Sequence, residues 1–235
     1  MIKSLIKKNF PKLSGYLINI KKNFNNFSRK SYSQFGEDLV LATFVNKKDG
    51  FYIDVGAYHP FKFSNTYYYY KKGWSGINID AKPGSMGIFN KKRKKDINIE
   101  VGISKNEENL DFYIFKESAY NTLSEKLANS YINQGIDFDK KVTIKTTKLS
   151  SVLDKYLPQD KKIDFISIDA EGFDMEVLES NDWNKYKPNY IVIEMHNANI
   201  EEIKESNIYK FLISKKYKLI SIVYITLIFK HESSI

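Results

Sequence analysis

From residue 31 onward, short apolar runs alternate with segments whose apolar positions recur every three or four residues, and the two periods predict different elements. FYIDV (51–55), GINID (76–80), INIEV (97–101), IDFISID (163–169) and YIVIEMH (190–196) are nearly continuous in β-branched and aromatic residues, as strands covered on both faces are. Helical patterns lie around and between them. SQFGEDLVLATFV predicts a helix with Ser33 as N-cap and Leu39, Val40 and Phe44 on one face. TYYYYKKG predicts a short helix closed by Gly73, so Tyr67 to Tyr70 read as one helical turn with some faces buried. Further helices are expected after Pro83, over GFDMEVLES and near 200–214. LDFYIF and VTIKTTKL alternate polar with apolar and predict a hairpin outside this alternation, while YKLISIV and YITLIFKH predict a closing antiparallel pair. The order indicates an α/β chain with a doubly wound, mostly parallel sheet.

Residues 1–30 stand apart as an N-terminal helical extension, with residues 31–235 as the single domain. Ile2, Leu5 and Ile6, then Leu13, Tyr16, Leu17, Ile20 and Phe24, follow helical spacing on either side of Pro11. Such a basic amphipathic stripe either lies on an anionic membrane surface or packs on its own domain or on a second subunit in a homodimer. Lys7, Lys8 and Lys12 interrupt any signal-peptide core, and no apolar stretch reaches the length of a membrane span. The expected location is the cytoplasm, with the inner membrane surface as an option for the arm.

Composition alters this picture in two ways. The net charge is +9, but residues 1–30 hold eight Lys or Arg and no acid, which leaves the body near neutrality. A nucleic-acid role through the body is therefore disfavoured, and an RNA-binding or RNA-methylating reading rests on the arm alone. The chain has no cysteine, so disulfides and thiolate chemistry are excluded, and any metal ligands would be Asp, Glu, His or Asn.

The informative acids stand where strands end: Asp54, Asp80, Asp169, and Glu194 followed by His196. Ligands of open α/β sheets sit at that edge. Helix capping is the alternative for each acid taken singly. Asp80 lies 24 residues after Gly56, about where an acid meets a ribose diol. Gly56 is followed by AYHP, not by the G-x-G-x-x-G fingerprint, which disfavours a dinucleotide pyrophosphate. A carboxylate at Asp54 suits the ammonium and sulfonium charges of a cationic nucleoside.

The ordered segments SYSQFGEDLVL (31–41), FYIDVGAYHPFKFSNTYYYYKKGWSGINIDAKPGSM (51–86), AYNTLSEKL (119–127), IDFISIDAEGFDMEVLESNDW (163–183) and YIVIEMH (190–196) resemble the FkbM family of S-adenosylmethionine-dependent methyltransferases. The resemblance implies a class I methyltransferase fold, Rossmann-like, with a seven-stranded mostly parallel sheet, helices on both faces and a last strand running antiparallel. It also implies that Asp54 and Gly56 border the methionine part of S-adenosylmethionine, Asp80 the ribose, and Ile103–Ser104 the adenine. Gln34 and Glu37 would close over the cofactor. The second and third glycines usual in class I methyltransferases are missing here.

Methyl transfer from a sulfonium is an in-line displacement, and an alcohol acceptor needs a base or a metal ion to lose its proton. His196 is the leading base candidate, with structural hydrogen bonding as its alternative. His59 competes for that role or shapes the cofactor pocket, and His231 is set aside. Asp169, Glu171, Glu194 and His196 offer oxygen and imidazole ligands for a divalent metal. The metal-free reading is preferred: Asp169 and Glu171 would cap the next helix and Glu194 would orient His196. In the long segment 105–148, Tyr120, Asn121 and Thr122 are candidate sugar contacts, or else a turn and helix boundary.

The expected activity is O-methylation of a sugar hydroxyl, on a nucleotide-linked sugar or glycan precursor of a bacterial capsule or other surface polysaccharide. That acceptor is implied by the resemblance alone. An amino-sugar nitrogen is an option within the same class, and a non-catalytic membrane-surface scaffold is the rival outside it.

Overall fold

The computed structural model of the chain describes residues 28–45, 47–196 and 199–234. The apolar stripe of the arm, which ends at Phe24, lies outside them.

Every residue of Phe51–Val55 (β1) is buried. The strand pairs in parallel with Ser75–Asp80 (β2) on one side and with Phe165–Ile168 (β7) on the other. Beyond β2 lies Ile97–Glu100 (β3), and beyond β7 lies Tyr190–Glu194 (β8), both again parallel. Thr226–His231 (β10) runs antiparallel to β8, and Tyr217–Val223 (β9) pairs antiparallel with β10. The resulting seven-stranded order, β3-β2-β1-β7-β8-β10-β9, is the mostly parallel, class I methyltransferase arrangement expected. Strand order reverses between β1 and β7, so a crevice opens at their carboxyl ends.

Two-residue alternation along each strand assigns the faces. Phe51, Ile53 and Val55 of β1 point into a core completed by Leu149–Tyr156 (α5), Asp174–Glu179 (α6), Ile200–Glu205 (α7) and Asn207–Ser214 (α8). Tyr52 points the other way, against Leu41 of Glu37–Phe44 (α1), Tyr69 of Tyr67–Lys71 (α2), Trp74 and Phe165. Helices thus cover both faces. Met86–Lys92 (α3) connects β2 to β3.

A second sheet, of three strands in the order β4-β6-β5, is built from Gly102–Ile103 (β4), Asn109–Phe115 (β5) and Phe138–Thr147 (β6). β5 and β6 pair antiparallel as expected. They are joined by a 3₁₀ turn, Ser118–Tyr120, and a helix, Glu125–Asn133 (α4), in place of a tight hairpin loop.

Several local expectations are corrected. The first helix begins at Glu37, with Gly36 at φ 95° as its N-cap in place of Ser33. Ser33 still serves the helix end, because its hydroxyl accepts the Asp38 amide at 3.2 Å. The buried positions of α1 are Glu37, Asp38 and Leu41, whereas Phe44 is exposed. Asp38 tolerates burial because its carboxylate accepts the Ser31 and Ser33 hydroxyls and the Tyr32 amide. The segment 200–214 is two helices, since the Ser206 hydroxyl caps the second by accepting the Tyr209 amide.

Candidate active site

At the carboxyl edge of β2, β1, β7 and β8 lies a cavity of about 620 Å³. Asp80 stands on β2 and Glu194 on β8, three strand spacings apart, or about 14 Å along the sheet edge. Gly56, Asp169 and Glu171 line the wall between them. Gly56 lets the two central turns touch. Its φ is +81°, and a Cβ there would sit 1.7 Å from the Asp169 carbonyl oxygen, so no other residue fits.

The structure brings most of the sequence-predicted residues to this cavity: Gln34, Gly56, His59, Asp80, Tyr120, Asn121, Thr122, Asp169, Glu171, Glu194 and His196 all line it. Asp54, Glu37 and Ser104 do not. Asp54 shares the strand face of Tyr52, so its carboxylate turns away and accepts the Thr66 hydroxyl at 2.7 Å. Glu37 accepts the Phe35 amide and the Thr226 hydroxyl. Ser104 is buried, its amide donated to the Thr147 carbonyl between β4 and β6.

Asp80 accepts the Lys82 amide at 2.7 Å. Withdrawal from water dominates nonetheless and pushes the carboxyl up to about 6. Asp169 is pushed well above the carboxylate range, first by burial and then by the charges of Glu194 and Glu171. One of its oxygens, Oδ1, is buried and accepts no hydrogen bond. Glu171 is raised to about 7 by burial and by Glu194, with His196 opposing.

The helix-capping alternative for Asp169 and Glu171 is corrected here. The following helix, α6, has Phe173 as its N-cap and no side-chain cap hydrogen bond, while the Asp174 carboxylate holds the preceding turn through the amides of Ala170 at 2.9 Å and Gly172 at 3.2 Å. His196 lies just past the end of β8 and approaches Glu194 at 3.2 Å, Nε2 to Oε2. That hydrogen bond raises the imidazole's proton affinity, although the side chain remains 57% exposed. The Nδ1 of His59 accepts the Phe61 and Lys62 amides, which fixes the turn after β1 and leaves Nε2 for other contacts. Asn121 and Thr122 are anchored through the Phe115 amide and the Glu171 carbonyl. Among the described residues no group of three or more His, Asp or Glu side chains is gathered to hold a metal ion.

Sequence reasoning missed Tyr58 and Phe63 at the cavity wall and Tyr131, which reaches it from α4. Tyr131 has no motif of its own in the sequence. Only the pairing of α4 with the central turns brings it to the site.

The residues fit a nucleoside with cationic groups: a carboxylate at the end of β2, an unpartnered buried carboxylate oxygen on Asp169, and a cavity rich in acids. A family model described as the methyltransferase FkbM domain matches residues 54–219. Among solved structures, a TehB-like S-adenosylmethionine-dependent methyltransferase from Corynebacterium glutamicum aligns with 94% of this chain and 100% of its own. The two share 10% identity with a TM-score of 0.41. No curated protein gives a significant match. With the family model spanning most of the chain, the protein belongs to the FkbM family of methyltransferases.

Proposed function

We propose that the cavity binds S-adenosylmethionine and that the protein transfers its methyl group to a sugar hydroxyl, on a nucleotide-linked sugar or glycan precursor of a bacterial surface polysaccharide. The observation that carries this reading is the row of carboxylates along one sheet edge, from Asp80 on β2 to Glu194 on β8, around one cavity. Asp80 would accept the ribose hydroxyls, and Asp169, with its unpartnered oxygen, would take the ammonium of the methionine part. Gln34 and His59 complete that wall. When bound, S-adenosylmethionine supplies an electrophilic methyl carbon on a sulfonium sulfur.

The chain's own residues would orient an acceptor and receive its proton. Tyr120, Asn121 and Thr122 present an aromatic ring and polar groups at the cavity wall, a combination suited to a sugar. Two proton-accepting arrangements stand close by: Glu171, and His196 with Glu194. The site as described would receive the proton without a metal ion.

Calorimetric titration with S-adenosylhomocysteine and with NAD, repeated on Asp80→Ala, tests the cofactor assignment. Selective binding of the homocysteine nucleoside, weakened in the variant, is the expected result. Equal or stronger binding of NAD would overturn it. Transfer of a labelled methyl group to a panel of nucleotide sugars then tests the acceptor.

A further inference from the structure

The insertion that carries β5, α4 and β6 clasps the turn after β7 at Glu171. Its backbone has φ +47°, a left-handed conformation that a side-chain-bearing residue adopts only when its surroundings impose it. Two insertion residues impose it. The Thr122 hydroxyl donates to the Glu171 carbonyl at 2.6 Å, and the Tyr131 hydroxyl donates to Glu171 Oε2 at 3.3 Å. From the other side Asp174 holds the flanking amides of Ala170 and Gly172. Gly172 follows at φ +85°, where a Cβ would press on Leu127 of α4 at 3.1 Å. A turn clasped from two elements at a cavity wall fixes one carboxylate in space.

On the methyl-transfer reading above, we infer that Glu171 takes the proton of the acceptor hydroxyl and that Tyr131 and Thr122 are the positioning residues that hold it. In that step the acceptor's O–H bond breaks toward a Glu171 oxygen and the acceptor oxygen bonds to the methyl carbon. The carbon–sulfur bond breaks with its electron pair left on sulfur. A sulfonium, a carboxylate and an alcohol become a thioether, a carboxylic acid and an ether, so charge and atoms balance.

His196 is less suited to this task. It is mostly exposed, and its Nε2 is engaged by Glu194. Glu171 faces Asp169, Asp174, Glu194, His196 and Tyr131, and burial among these acids brings its proton affinity near neutrality, where a general base works best. Tyr131 is itself seated by edge contacts with Tyr120, at 5.0 Å, and Phe115, at 5.8 Å, so the aromatic cluster of the insertion sets the direction of its hydroxyl.

The test needs no acceptor. Sinefungin carries an amine where S-adenosylmethionine carries its reacting methyl group, so the ratio of its affinity to that of S-adenosylhomocysteine reports a carboxylate at the transfer point. The full-length wild-type chain should prefer sinefungin by about tenfold at pH 8, as a charge-assisted pair allows. In Glu171→Gln the ratio should fall to near one. In Tyr131→Phe it should fall partway, and the pH at which the preference develops should rise, because the lost hydroxyl favoured the ionised carboxylate. A purely packing role for Tyr131 would leave that pH unmoved, and its persistence in folded Tyr131→Phe protein would overturn the positioning role. Binding of both ligands with a ratio unchanged in Glu171→Gln would overturn the inference and leave the cofactor reading intact. Binding of neither ligand by the folded wild-type chain would overturn both.

Discussion

On the proposed reading Asp80 accepts the ribose hydroxyls, and its chemistry has a sign that can be checked. Two ribose hydroxyls donate best to an ionised carboxylate, yet withdrawal from water raises this one to about 6. Affinity for S-adenosylhomocysteine should therefore be level above pH 7 and weaken as pH falls through about 6, where protonation removes an acceptor. The Asp80→Asn variant should bind about a hundredfold more weakly at pH 8, on the order of 3 kcal/mol for charge-assisted bonds lost, and should lose most of the pH dependence. Calorimetric titration across pH reads both effects, and a wild-type affinity flat from pH 5 to 8 would sink this account. Gly56 is the complementary case, in which the backbone alone matters. A methyl group there would meet the Asp169 carbonyl, so Gly56→Ala must push β1 and β7 apart at the cavity floor. That substitution should cost at least about 2 kcal/mol in urea unfolding and abolish homocysteine-nucleoside binding.

At the scale of elements, the turn after β1 is held by a buried network that joins α3 to the sheet. Arg93 is fully buried. Its guanidinium donates to Asp96 at 2.8 Å, to the Pro60 carbonyl at 2.7 Å, and to the Tyr52 and Thr66 hydroxyls, while Thr66 donates onward to Asp54. Tyr70 covers its face at 4.7 Å, so the run of tyrosines in α2 has a second use as packing around a cation. Arg93→Met keeps much of the volume but leaves Asp96 and Asp54 buried without their cation. It should destabilise the chain by about 3–5 kcal/mol, measured by urea unfolding, and a loss below about 1 kcal/mol would show the network to be dispensable. This network was invisible in the sequence, because KKRKKD reads as a solvated basic run and nothing local distinguishes Arg93 from its neighbours. By contrast the strands were legible: near-continuous apolar runs mark strands covered on both faces, and β1, β2, β7 and β8 lie on the expected segments, β2 starting one residue earlier at Ser75. Position along a strand also fixed which acids reach the edge. Alternation places Asp54 on the face of Tyr52, but only the packing shows that this face is closed by α1 and α2 while Asp80 and Asp169 meet the cavity. Tyr131 needed the tertiary docking of α4, which no periodicity encodes.

For the molecule as a whole, the site is built against the stability of the fold. Asp54, Asp80, Asp169, Glu171 and Asp174 all have their proton affinities raised, chiefly by burial. A carboxyl raised in the folded state binds its proton more tightly there than in the unfolded chain. Its contribution is favourable at low pH and is lost as pH rises from the unfolded value through the folded one. For Glu171 that window runs from 4.5 to about 7. Global charge repulsion obscures such a trend in the wild-type chain alone, whereas comparison with Glu171→Gln cancels it. The neutral amide mimics the protonated acid, so wild type and variant should unfold at similar temperatures near pH 4.5, and the variant should become the more stable as pH rises to 8. The full difference is about 3 kcal/mol, on the order of 10 °C for a chain of this size. If Glu171 were merely a structural residue relaxed by its neighbours, the two melting curves would run parallel in pH. A gap that opens between pH 5 and 7 would mean that the fold spends stability to keep an ionised carboxylate at this wall, the trade expected of a residue retained for chemistry.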